Sequence, residues 1–352
     1  MSTAVQLVDT DEPRRAPRAA SRVAPRAAGL VLAAAVLALV VLLSLWVGSK
    51  GIPVSVTWSV LWHHDGSAEA VIVHDLRVPR TLLGLSVGAA LGIAGALMQA
   101  LTRNPLADPG LLGVNQGASA AVATAIVFFG ITSPGGYAWF ALGGAATVSV
   151  LVYVLGSQGR STATPERLVL AGAALTAVLI SYTSGVLLLF PRSFDAFRFW
   201  NVGSVAGRKL DVFTQIAPFI AVGLLLAFAL ARSLNVLALG EETGKALGAN
   251  LGRTRLLGAV AVTLLCGGAT AAIGPITFIG LTVPHVARMI GGADQRWVLP
   301  YSALLAPVLL LGSDVLGRVV VAPAELEVGI VTALVGAPVF IALCRRRKLG
   351  SL

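Results

Sequence analysis

Charged side chains cluster along this chain, and between the clusters lie uncharged stretches at 27–49, 81–102, 109–159, 168–191, 212–231, 256–287, 297–313 and 328–344. Several match the roughly 20 apolar residues that a helix needs to cross the hydrocarbon of a bilayer. Stretch 109–159 is long enough for two crossings, and Ser133-Pro134-Gly135-Gly136 supplies a turn near its middle. Stretch 256–287, extended to Gly291, holds two more, at least one of them short, hinged near Gly274-Pro275. The pattern predicts an all-α integral membrane protein of about ten transmembrane helices. Their expected positions are 28–47, 81–101, 111–130, 138–156, 168–190, 212–231, 256–273, 277–291, 297–317 and 328–344, inside one membrane domain spanning 27–348.

Composition strengthens this picture. The 352 residues are 56% hydrophobic and 12% charged, against roughly a quarter charged in soluble domains, which excludes a water-soluble globule. The first 26 residues, rich in Ala, Arg and Pro, have no apolar period and read as a disordered basic arm. Arg14-Arg15 is not followed by a cleavable signal pattern, so 28–47 reads as a retained first span.

Cytoplasmic loops of membrane proteins retain an excess of Lys and Arg. Placing both termini inside the cell membrane leaves only Lys50, Arg77, Arg80, Arg192, Arg198, Arg208, Lys209 and Arg318 outside, of 26 basic residues in all. The net charge of +10 therefore reads as topology and attraction to anionic lipid headgroups, with no nucleic-acid partner expected.

Catalytic constellations are scarce. Gly240-Glu241-Glu242-Thr243-Gly244-Lys245-Ala246 lacks phosphate-loop spacing and has Ala where a magnesium-binding hydroxyl belongs. No enzymatic activity, metal site or bound cofactor is expected of this chain. His63-His64 reads as a solvated loop pair rather than a metal site, and His285 as a helix-end hydrogen-bonding residue. The two cysteines, Cys266 and Cys344, lie in or at the edge of spans, so neither a disulfide framework nor a thiolate metal site is available.

An ion-coupled secondary carrier buries carboxylates at mid-membrane. The centres of the expected spans hold none; Asp314, Glu325 and Glu327 all fall near the outer end of span nine. Such a carrier is the alternative reading, and energy supplied by a partner is the leading one. Gly84, Gly88 and Gly92 recur at four-residue spacing in span two, a pattern that lets helices pack closely in lipid and that could also line a pathway.

Four segments in order resemble the FecCD/BtuC-type permeases of ABC importers. They are Arg77-Val78-Pro79-Arg80-Thr81-Leu82 running through to Asn104-Pro105-Leu106-Ala107-Asp108-Pro109-Gly110; Leu237 to Gly248; Gly274 to Arg288; and Glu325 to Phe340. The resemblance implies a ten-helix, BtuC-like permease pairing with a second permease subunit, identical or homologous. Two cytoplasmic ATPase subunits carrying ATP and magnesium would lie below it, and an extracytoplasmic binding protein above. It implies import of an iron-siderophore, with haem and cobalamin as further ligand classes.

Residue by residue, the resemblance assigns Arg77, Arg80 and Arg318 to docking of the binding protein, whose acidic groups suit the rigid arginine fork. Anchoring of span two in the interface remains open for Arg77 and Arg80, and pairing with Asp314 for Arg318. It assigns Asn104, Pro105 and Leu106 to the cytoplasmic gate, with a plain loop as the other reading. It assigns Leu239, Gly240, Glu241, Glu242, Lys245, Leu247 and Gly248, within two short coupling helices at 237–250, to contact with the ATPase. Pro275 departs from the family pattern, so the start of span eight is expected to be kinked differently.

Overall fold

The computed structural model describes residues 23–48, 50–63, 65–131, 133–157 and 165–345. Most of the expected arm, together with His64 and the basic run after Arg345, lies outside them. Fourteen α-helices follow in order: α1 (Val23–Trp46), α2 (Val54–Trp62), α3 (Ala68–Val71), α4 (Val78–Thr102), α5 (Val114–Phe129), α6 (Pro134–Ser157), α7 (Pro165–Leu189), α8 (Phe194–Asn201), α9 (Leu210–Ala238), α10 (Glu241–Ala246), α11 (Leu251–Ile273), α12 (Ile279–Gly291), α13 (Gln295–Val320) and α14 (Val328–Arg345). Among the described residues, seven helices are long and apolar enough to cross a membrane, and α5 and α14 are shorter apolar ones. With the half-length α12, they account for every expected span.

The differences lie at the ends. α1 starts at Val23, so the last residues assigned to the arm are helical. α3, a π-helical turn at Ile72–Arg77 and α4 run on without a break, which places Arg77 and Arg80 within helix rather than in a loop before it. α2 and α8 were not expected; Val54–Trp62 is too short to span and carries no charge. The segment 237–250 forms one short helix rather than two, because α9 continues to Ala238 and α10 is bracketed by Gly240 and Gly248, both at positive φ.

We call the end where α1 begins proximal and the other distal. α4 is the axis: its most apolar window is 78% buried, against 11% in α1 and 17% in α7, and it packs against α9, α11, α12 and α13. The Gly84, Gly88 and Gly92 stripe faces α13. A Cβ on Gly88 would lie 2.6 Å from the Pro307 Cα, and one on Gly92 2.6 Å from the Ser302 carbonyl oxygen, so the stripe serves close helix packing.

Candidate functional site

The distal cluster is built where α1 ends, α4 begins and α13 ends. The last carbonyls of a helix have no intrahelical partner, and in α1 arginines supply it. Arg77 Nη1 donates to the Leu45 and Trp46 carbonyls at 3.0 and 2.6 Å, and its Nη2 to that of Lys50 at 2.8 Å. Arg318 Nη1 donates to the Ser44 and Val47 carbonyls at 2.8 and 3.0 Å. These arginines are 4% and 2% exposed. Their guanidinium groups thus point inward and hold the distal end of α1, where the resemblance implies groups presented to a partner.

Arg80 differs. Its Nε bonds both Asp314 oxygens at 3.0 Å, its Nη2 bonds Asp314 Oδ1 at 2.6 Å, and its Nη1 bonds Glu325 at 2.7 Å. Asp314 also accepts from Arg318 one helical turn on. Three guanidinium groups and two carboxylates leave one excess positive charge, and Glu325, 29% exposed, and Arg80, 12% exposed, are the most accessible members. A cavity of about 150 Å³ opens beside them, and its lining includes Lys50, Glu325 and all three arginines, Arg77, Arg80 and Arg318.

The bundle centre holds a second break in regularity. After α11, residues 274–278 run non-helically from the distal end into the bundle, and α12 starts only at Ile279, behind Phe278 at φ 67°. Gly274, at φ 84°, lies against the Trp200 carbonyl, where a side chain has no room. Irregular backbone at membrane depth survives only where protein or a water-filled path surrounds it; Thr277 within this segment is exposed.

Pro284 lacks the N–H that would bond the Gly280 carbonyl in α12. Gln99 on α4, fully buried, compensates by donating to the Gly280 and Leu281 carbonyls at 3.3 and 3.2 Å, and its own oxygen accepts from Arg288. Gly95, one turn earlier, lets the α12 backbone approach. The pairing of Gly95 and Gln99 with Gly280 and Pro284 escaped sequence reasoning, although all four residues sit in the motif segments. His285 differs from the helix-end hydrogen bond expected of it: its Nδ1 is buried without a partner.

At the proximal end α4 stops at Thr102, and Arg103 adopts φ 50° as its cap. Asn104 then folds an Asx turn, its Oδ1 accepting from the Leu106 amide at 2.9 Å. Asn104 and Leu106 are exposed and Pro105 is half-buried. Beyond them the chain turns into the bundle: Asp108 accepts from the Gly110 amide at 2.8 Å, and the Pro109 ring approaches Gly280 where α12 begins. The loop that follows α4 therefore meets the half-helix through Pro109.

Nearby, Glu242, Lys245 and Gly248 are exposed, Gly240 is half-buried, and the apolar Leu239 and Leu247 are 59% and 63% exposed. α10 is seated by Leu251, whose side chain meets Gly244 at 3.1 Å from where a Cβ would be. The side chains therefore combine exposed leucines with charge on a short element outside the spans.

Residues 36–346 match the FecCD transport family. The chain belongs to this family. Among its relatives it is 50% identical over 308 residues to the ferric enterobactin transport system permease protein FepD of Escherichia coli (strain K12), covering 88% of this chain and 92% of that one. It is 44% identical over 282 residues to the probable siderophore transport system permease protein YfiZ of Bacillus subtilis (strain 168), covering 80% and 85%. It is 38% identical over 320 residues to the hemin transport system permease protein HmuU of Yersinia pestis, covering 89% and 94%. Among solved structures, an inward-facing conformation of a putative metal-chelate type ABC transporter superposes with a TM-score of 0.79 at 26% identity, covering 90% of this chain and 99% of that one. The family fold, a multi-pass transmembrane permease, is thus the fold of this chain.

Proposed function

We propose that this FecCD-family chain is the permease subunit of an ATP-driven importer that carries an iron-siderophore into the cell, with both termini and α10 on the cytoplasmic side. One observation carries the reading: an arginine–carboxylate cluster lies at one end of the bundle and a short helix flanked by exposed leucines at the other, with a broken, half-length helix between them. The relatives named for siderophore transport support the ligand class. A binding protein docks on the distal cluster, where Arg80 supplies the more accessible charge while Arg77 and Arg318 keep its platform rigid. Two ATPase subunits carrying ATP and magnesium engage Leu239, Gly240, Glu241, Glu242, Lys245, Leu247 and Gly248. Their closure moves α10 and, through the Asn104-Pro105-Leu106 turn and Pro109, the start of α12.

The bundle is completed by a second permease subunit. Ala173, Ala177, Ser181, Ser184 and Gly185 are all exposed along one face of α7. In lipid, small residues in such a row favour a neighbouring helix. The carrier alternative is weaker because the two acids drawn into the bundle are already committed, Asp314 to two arginines and Asp108 to the Gly110 amide.

The test is copurification of the tagged chain from native membranes, followed by reconstitution and uptake of iron-55 as a ferric catecholate. Recovery of an ATPase and a binding protein, with uptake lost on blocking hydrolysis, is expected. Uptake by the chain alone under an ion gradient would overturn the proposal.

A further inference from the structure

The Arg80 guanidinium has two edges, and they are held differently. The Nε–Nη2 edge is locked onto Asp314, whose side chain is 1% exposed and which also binds Arg318. The remaining edge offers Nη1 to Glu325 at 2.7 Å, and Glu325 sits on the turn between α13 and α14 with its side chain 29% exposed. Releasing Asp314 would leave buried charges unpaired, which is severely unfavourable. Releasing Glu325 is cheap, because a partly exposed ion pair contributes a factor of about five or less to an equilibrium.

Beside this replaceable contact lies the 150 Å³ cavity, lined by Arg77, Arg318 and Lys50, the last paired with Glu69 at 3.3 Å, as well as by Arg80. It is too small for a drug-sized ligand, which needs roughly 300 Å³ or more. The tip of one acidic side chain fits. We propose that Glu325 is a placeholder on Arg80, which a carboxylate entering this cavity from the docked binding protein displaces. The proposal rests on the docking reading given above. Exchange of one carboxylate for another keeps the cluster's charge balance, so Arg80 is never left bare, and docking affinity is set by the difference between two similar ion pairs. Displaced Glu325 moves into solvent on its turn.

Two measurements on the full chain in lipid nanodiscs test this. The first uses phenylglyoxal, an arginine-selective reagent, with mass spectrometry at each site. Arg80 is expected to react several-fold faster in Glu325→Ala than in the wild type, while Arg77 and Arg318 stay slow in both. Equal Arg80 rates would overturn the placeholder role.

The second is the affinity of the binding protein recovered in the copurification. Glu325→Ala is expected to bind it about two- to fivefold more tightly. Arg80→Lys keeps the buried charge for folding but loses the fork, and is expected to weaken binding about tenfold. Weakening by Arg80→Lys with no tightening by Glu325→Ala would overturn the exchange while leaving docking intact. No effect of either substitution would remove docking at Arg80 itself, and the placeholder with it.

Discussion

Gly95→Ala adds one methyl group at a very tight contact between helix backbones. An added Cβ would lie 2.5 Å from both the Cα and the carbonyl carbon of Gly280, and would collide with its carbonyl oxygen, where ordinary contact begins at 3.4 Å. These are backbone atoms of the first turn of α12, so no side chain can swing aside; α12 must retreat from α4 by about 1 Å or more. The retreat lengthens the Gln99 bonds to the Gly280 and Leu281 carbonyls, already 3.3 and 3.2 Å. Overpacking of this kind costs about 3 kcal/mol, and the better helix propensity of Ala returns up to about 1 kcal/mol. The net expectation is a loss of about 2 kcal/mol. Gly312→Ala in α13 is the matched control, since nothing lies within 4 Å of its added Cβ, and it should be neutral or slightly stabilising. Thermal unfolding of both variants in nanodiscs, followed by tryptophan fluorescence, measures the difference. Equal midpoints would refute the account of the α4–α12 seam, and with it the claim that Gln99 and Gly95 together fix the half-helix.

Other consequences can be checked more briefly. Arg77→Ala frees two carbonyls at the end of α1 and that of Lys50 beyond it and should cost about 2–4 kcal/mol, with Arg77→Lys recovering only part because a single ammonium cannot span them; the unfolding midpoint reads this. Ser181→Leu places a bulky side chain on the exposed small-residue face of α7, so it should leave the monomer's unfolding midpoint within about 0.5 kcal/mol yet abolish the second permease subunit's association in size-exclusion chromatography with light scattering. Unchanged association would move the interface elsewhere. The Asp294 carboxyl, which caps α13 outside the spans, is drawn down to about 2 by the Arg296 guanidinium and by amide donors including Asn235. Its folded pKa is below the unfolded one, so its stabilisation is present above about pH 4 and fades as pH falls towards 2. An unfolding midpoint that drops in this window, with a shallower drop in Asp294→Asn, is expected; identical slopes would remove Asp294 as the cause.

The spans were legible because lipid demands long uncharged runs, a demand each stretch meets on its own without reference to any other part of the chain. What could not be read there depends on residues meeting across the sequence. Arg77 and Arg318 looked like outward charges because they flank spans, yet the carbonyls that claim them, from Ser44 to Lys50, lie as much as 274 residues away. The π-helical turn at Ile72–Arg77 adds to this, since it carries Arg77 into an unbroken helix without any glycine or proline to announce it. α12 was located, its start at Ile279 against an expected 277, but the backbone that sets it was not: Phe278 takes φ 67°, a conformation that nothing in a bulky aromatic residue advertises.

The same reasoning separates the three arginines by function. An arginine three residues from another on one helix should share its face and its task, and Arg77 and Arg80 share only the face. Arg77 meets helix-end carbonyls, which no incoming partner can replace without unravelling α1. Arg80 meets carboxylates, one of them at the surface, and a carboxylate is the group that a binding protein can also offer. The difference between an arginine that only holds structure and one proposed to dock a partner therefore lies in what occupies the opposite wall, and the carbonyls of Ser44 to Val47 and of Lys50, far from every recognisable motif, decide it for Arg77 and Arg318.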